Sequence, residues 1–157
     1  MSDEDPASAV LYLREEEIRR GIGLLLRAAR ILGTPDAEAL ADCQLRPAHF
    51  MPLLMIVRHP GLPLSELLSM LRIRKQSLQP LLETLITRGL VEMRAASADR
   101  RRRCLFPTEA GLAVERRLSA PLRLRLAAAY RREGPQAVAG LKGVLGALVG
   151  DDPETGA

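Results

Sequence analysis

Apolar residues recur at helical spacing along most of this chain. Ile18, Ile22, Leu25, Leu26, Ala29 and Leu32 form one stripe of a segment from Val10 to Leu32, while Arg14, Arg19, Arg20, Arg27 and Arg30 take other faces, as in an amphipathic helix. Gly33-Thr34-Pro35 predicts its end, glycine by permitting a left-handed cap and proline by refusing continuation. Asp36 is placed to cap a short helix through Ala41. A further helix is expected from Pro47 to Arg58, with Pro47 in its first turn. Pro52 interrupts that run, and an interior proline costs about 3 kcal/mol. The helix must kink there or begin late.

His59-Pro60-Gly61 is a stop and turn. Leu64 to Leu71 then has the pattern of a short amphipathic helix, uncapped because Pro63 offers no side-chain acceptor. Arg72-Ile73-Arg74 makes a turn, and a second helix runs to Arg88 with Leu78, Leu81, Leu82, Leu85 and Ile86 facing inward. Pro80 conflicts with a start at Lys75; a start near Ser77 puts it in the first turn and leaves Lys75 and Gln76 outside. Gly89 closes this helix. Leu90 to Arg94 and Arg103 to Phe106 are expected as strands joined by the loop Ala95–Arg102. Thr108, Glu109 and Gly111 open a helix to Arg132, with a bend at Pro121 and a break at Gly134-Pro135. Val138, Leu141, Val144, Leu145 and Leu148 form the last apolar stripe.

Two short helices around a tight turn, followed by a basic hairpin, are the plan of a winged helix-turn-helix, whose second helix enters the major groove. The fold class is therefore mostly α with a small β-hairpin wing. Between Arg72 and Arg103 nine cations stand against three acids, so this window carries +6 and the rest of the chain −2. Such a concentration points to a polyanion. The DNA-binding candidates are Arg72, Arg74, Lys75, Gln76, Ser77 and Gln79 around the second helix, with Arg100, Arg101, Arg102 and Arg103 in the wing. Arginine and lysine donate to guanine O6 and N7, and glutamine bridges adenine N6 and N7. Alternate arginines of a hairpin point to opposite sides, so not all four reach DNA.

From Leu45 to Gly111 the chain resembles the MarR family of bacterial transcription regulators. The resemblance rests on Arg58-His59-Pro60-Gly61, Ser65-Glu66-Leu67, Lys75-Gln76-Ser77-Leu78, Arg88-Gly89-Leu90-Val91, Asp99-Arg100-Arg101 and Thr108-Glu109-Ala110-Gly111, in that order. It implies that flanking helices make a dimer, that Asp99 forms a structural pair with an arginine of the wing, and that Arg101 dips toward the minor groove. The two terminal stripes agree: Ile18, Ile22, Leu25 and Leu26 with Leu141, Val144, Leu145 and Leu148 exceed what one small winged helix covers, and large apolar patches mark interfaces. Residues 10–45 and 109–149 are thus expected as dimerisation helices around a winged helix at 46–108, with disordered tails at 1–9 and 150–157.

The 157 residues suit one domain, or one domain with dimerisation arms. No apolar run approaches the length of a membrane span, and the acidic N-terminus lacks a secretory pattern. A cytoplasmic location follows as the expectation, with no membrane partner. Cys43 and Cys104 form no pair motif and are expected as reduced thiols. Cys104, beside four arginines, would have a lowered thiol pKa if exposed. His49 and His59 are too separated for a metal site and are expected at the surface or a hinge. No catalytic triad, phosphate loop or dinucleotide fingerprint appears, so neither an enzyme nor a cofactor is expected. With two tyrosines, two phenylalanines and no tryptophan, a base-stacking RNA platform is disfavoured.

The resulting reading is a homodimer that binds a palindromic site in double-stranded DNA and regulates transcription; a small-molecule effector, a metal or an oxidant is a candidate to alter the spacing of the two wings, although no ligand site is legible. The alternative is a winged-helix scaffold with weakened DNA reading that acts through a protein partner. Pro52, Pro63 and Pro80 motivate it, and the +6 of the motif window opposes it.

Overall fold

The structure, a computed structural model, describes residues 11–95 and 102–150. After a 3-10 turn at Leu11–Leu13, helix α1 runs Glu15–Leu32, starting later than its periodicity predicts. Glu15, Glu16 and Glu17 fill its first turn, where carboxylates meet the positive end of the helix dipole. Gly33 ends α1 without the expected left-handed cap, since its φ is −86°. Glycine fits for another reason: a Cβ would stand 2.9 Å from the Ala29 carbonyl oxygen.

Asp36 caps α2, Ala37–Asp42, by accepting the Glu38 N–H at 3.3 Å. A 3-10 turn at Pro47–His49 leads into α3, Phe50–Arg58. The late start accommodates Pro52, which falls in the first turn of α3, where backbone N–H groups have no intrahelical acceptor. Strand β1, Leu62–Pro63, precedes α4, Leu64–Leu71, and α5, Lys75–Thr87. Strands β2, Val91–Ala95, and β3, Arg103–Pro107, follow. The sheet is antiparallel in the order β1-β3-β2, with Leu62 and Met93 both opposite Leu105. The pattern of the sequence gives no sign of β1, because two residues carry no alternation. It forms because Gly61, at φ +86°, turns the chain so that its N–H meets the Leu105 carbonyl at 2.8 Å.

Gly89, at φ +66°, closes α5. Its N–H bonds the Ile86 carbonyl at 2.8 Å and the Leu90 N–H bonds the Leu85 carbonyl at 2.9 Å, the two bonds of a Schellman motif. Helix α6, Glu109–Val149, is tied to this junction. Thr108 Oγ1 accepts the Gly111 N–H at 3.0 Å and donates to the Gly89 carbonyl at 2.6 Å. Phe50, Leu53, Ile56, Leu67, Leu85 and Leu105 are fully buried, so the core lies between α3, α4, α5 and the sheet. Leu118 of α6 completes it, and Arg117 of α6 pairs with Asp42 of α2.

The expected break at Gly134-Pro135 is a kink inside α6, where Gly134 has φ 82° and ψ 173°. The departure from helical dihedrals falls there and not at Pro121. No residue of α1 is buried: Ile18, Ile22 and Leu26 are 46%, 52% and 68% exposed, with Leu25 half-buried. Leu141, Val144, Leu145 and Leu148 are exposed as well. Among the described residues no helix is long and apolar enough to cross a membrane.

Candidate nucleic-acid interface

Leu78, Leu82 and Leu85 are the buried residues of α5. Their burial fixes the opposite stripe, on which Gln76, Gln79, Pro80 and Glu83 are exposed at successive turns. Lys75 and Ser77 are exposed at the start of the helix, and Arg74 occupies its N-cap with an extended backbone. Arg72 ends α4 in the left-handed region at φ 51°. The fold therefore gathers Arg72, Arg74, Lys75, Gln76, Ser77 and Gln79 at one helix N-terminus, all of them exposed. Three cations at the positive end of a helix dipole attract phosphate, and the amides are suited to base edges. One donor of Gln79 is engaged, since its Nε2 bonds Glu83 Oε1 at 3.0 Å.

Pro80 does not shorten this end. It lies inside α5, and Lys75 and Gln76 stay within the helix, which corrects the expectation of a start near Ser77. The missing N–H and ring crowding cost about 3 kcal/mol. Three buried leucines, at roughly 1.5–3 kcal/mol each, outweigh that cost. One turn later Thr84 Oγ1 donates to the Pro80 carbonyl at 3.0 Å.

In the wing, Arg103 begins β3 with its side chain exposed. Arg102 is exposed too, but its Nη2 lies 2.7 Å from Glu66 Oε1 of α4. So exposed a pair contributes about 0–1 kcal/mol; its effect is to hold the root of β3 against α4. Asp99, Arg100 and Arg101 lie outside the described residues, as do the expected tails at 1–9 and beyond Gly150. On β2, Arg94 stands 5.0 Å over the Phe106 ring and bonds Glu92 Oε2 through Nε at 2.9 Å.

Of the two places expected for it, surface or hinge, His49 takes the second: it joins the 3-10 turn to α3 and is only 2% exposed. Its Nδ1 accepts the Arg46 N–H at 2.9 Å, the role of Glu or Gln in a capping box. The spacing Arg46-x-x-His49 ahead of an apolar run is the signal that sequence reasoning passed over. Nε2 is buried without a hydrogen-bond partner. Burial pushes the His49 pKa below its ordinary 6.5, helped by the Arg46 and Arg88 charges and opposed by the Arg46 carbonyl, 3.2 Å from Nδ1, which would accept from a protonated ring. Cys104 is buried while Arg103 points out, so this thiol is not an exposed nucleophile; Cys43 is half-buried, and both are free thiols. No three metal-ligating side chains cluster among the described residues. A cavity of about 850 Å³ opens between α3, α4 and the end of α6, with Met51, Met55, Met70, Glu66, Arg72 and Leu148 in its wall. Its wall comes from three distant segments, which no local pattern connects.

Comparison with known proteins places this geometry. A sequence model of the MarR family matches residues 44–102, from the approach to α3 to the root of β3. The HTH-type transcriptional regulator PetP of Rhodobacter capsulatus is 42% identical over 140 residues, covering 89% of this chain and 84% of PetP. Among solved structures, NadR in complex with 4-hydroxyphenylacetate aligns with a TM-score of 0.67 at 18% identity, over 97% of this chain and 98% of NadR. A MarR protein from Peptoclostridium difficile aligns with a TM-score of 0.64 at 22% identity, over 85% and 86% of the two chains. These two likenesses are of fold.

Proposed function

The chain belongs to the MarR family of transcriptional regulators, and from that premise we propose that it acts as a homodimer reading a palindromic DNA site. Two α5 helices enter the major grooves of the half-sites, and the wings hold the flanking backbone. Symmetric half-sites match the two-fold axis of a dimer. The observation that carries this reading is the exposed polar N-terminus of α5, with Arg72, Arg74 and Lys75 beside Gln76 and Gln79. The uncovered stripes of α1 and of α6 beyond Gly134 supply the dimer surface, so residues 10–45 and 109–149 act as dimerisation segments around the winged helix of 46–108. Arg100 and Arg101, with Asp99 positioning the wing, complete the phosphate contacts. A protein with this role works in the cytoplasm, where its DNA is.

A small-molecule effector belongs to the proposal. NadR was solved with 4-hydroxyphenylacetate, and the cavity of about 850 Å³ supplies a site on this chain. Leu148 belongs to both the cavity wall and the apolar stripe, which supports a link between occupancy and dimer geometry. The DNA-reading proposal is favoured over a partner-mediated role by the placement of the prolines, since Pro52 lies in a first turn, Pro63 precedes α4, and α5 runs through Pro80.

The test is binding of the purified protein to DNA from upstream of its own gene and to a scrambled duplex, over a salt series. We expect tighter binding to the former at every salt and a steep log–log slope. Equal affinity for both duplexes throughout the series would sink the proposal.

A further inference from the structure

We infer that Pro80 reads a thymine, its ring packing on the C5 methyl group in the major groove; this rests on the proposal that α5 enters that groove. Pro80 is exposed, and Leu78, Leu82 and Leu85 supply the buried face of α5 without it. In a helix interior every other residue type gives a better helix, because only proline removes the N–H and crowds the preceding turn. The residue therefore does not serve the stability of α5. What it presents to solvent is an apolar ring without side-chain rotamers to freeze.

The neighbours define what that ring can meet. On the same exposed stripe Gln76 lies one turn before it, Gln79 beside it and Glu83 one turn beyond. Gln79 and Glu83 are joined by a hydrogen bond at 3.0 Å, and all three side chains are polar. Pro80 has nothing to donate or accept from its side chain, and the apolar feature that the four bases show in the major groove is the thymine methyl. Gln76 is suited to adenine N6 and N7. One helical turn of about 5.4 Å separates the two residues, so the thymine belongs within about two base-pair steps of that adenine.

The experiment starts from duplexes selected from a random library by the full-length protein. Each thymine is then replaced in turn by deoxyuridine, which deletes the methyl and nothing else. In each half-site one replacement should weaken binding about fourfold, the factor that corresponds to about 0.8 kcal/mol for one buried carbon group. With Pro80→Ala the same replacement should change affinity by less than about twofold, the signature of two groups in direct contact. That variant regains the backbone N–H, so its thermal midpoint should equal or exceed that of the parent. The inference is overturned if every deoxyuridine duplex binds the parent protein as tightly as its thymine counterpart. It is also overturned if the loss persists undiminished in Pro80→Ala. Selection that enriches no sequence is a different failure, because it removes the DNA-reading proposal and this inference with it.

Discussion

At His49 one ring nitrogen closes the turn into α3, and that nitrogen accepts only while the ring is neutral. Nδ1 takes the Arg46 N–H at 2.9 Å, whereas protonation would place a hydrogen on it and leave a cation in a site only 2% exposed. The folded pKa is depressed, so the unfolded chain binds more protons in the window below the ordinary 6.5. Stability from this group is complete above that value and is lost as pH falls through the folded pKa. The thermal midpoint of the parent protein should therefore drop between neutral and mildly acidic pH. His49→Gln keeps an acceptor for the Arg46 N–H and should flatten that dependence; an equally steep profile in the variant would assign it to other groups. Arg74 acts at the same scale. If its guanidinium meets a phosphate in both subunits, Arg74→Ala should lower the salt-dependence slope by about 1.8. An unchanged slope in a binding titration would remove Arg74 from the contact set.

Among the elements, the junction of α5, β2 and α6 is held by backbone contacts that leave no room. A Cβ on Gly111 would lie 2.0 Å from the Leu90 carbonyl oxygen, and the same carbonyl accepts the Thr108 N–H at 3.1 Å. Neither atom is the movable end of a side chain. Gly111→Ala should cost about 3 kcal/mol, the upper end for overpacking, because α6 must shift away from the strand it anchors. Denaturant titration measures this directly, and a cost below about 0.5 kcal/mol, the size of an ordinary surface change, would show that the junction yields. The root of β3 is held by a weaker contact. Its Arg102–Glu66 pair is over half exposed on both sides, so it steers the root of β3 while adding little stability.

For the whole molecule, the chain folds one core and leaves two apolar faces open. The core joins α3, α4, α5, the sheet and Leu118, whereas Ile22 and Leu26 of α1 stay more than half exposed. Covering those faces with a second copy predicts a particle of twice the 17.2 kDa chain mass in light scattering at micromolar concentration. Ile22→Arg should convert it to monomer with little change in the circular dichroism of the winged helix, since Ile22 is more than half exposed and is not among the buried core residues. A dimer that survives Ile22→Arg would move the interface away from α1.

The sequence by itself determined what depends on neighbours along the chain. Helical stripes such as Leu78, Leu82 and Leu85, the closing Gly89, the Thr108 cap and the +6 window were all legible, because periodicity, capping and charge are local properties. The order of the short motifs from Leu45 to Gly111 carried the family for the same reason. Tertiary structure decided the rest. Strand β1 exists only because β3 offers Leu105 as a partner. Arg102 is engaged because α4 brings Glu66 to it, and the cavity wall is assembled from segments far apart in sequence. His49 is buried because its helix packs into the core, which no count of histidines reveals. Pro80 shows the division most plainly. The local rule for proline predicted a shortened helix, but a local rule carries no term for three leucines anchored in a core on the opposite face, and their burial keeps α5 whole.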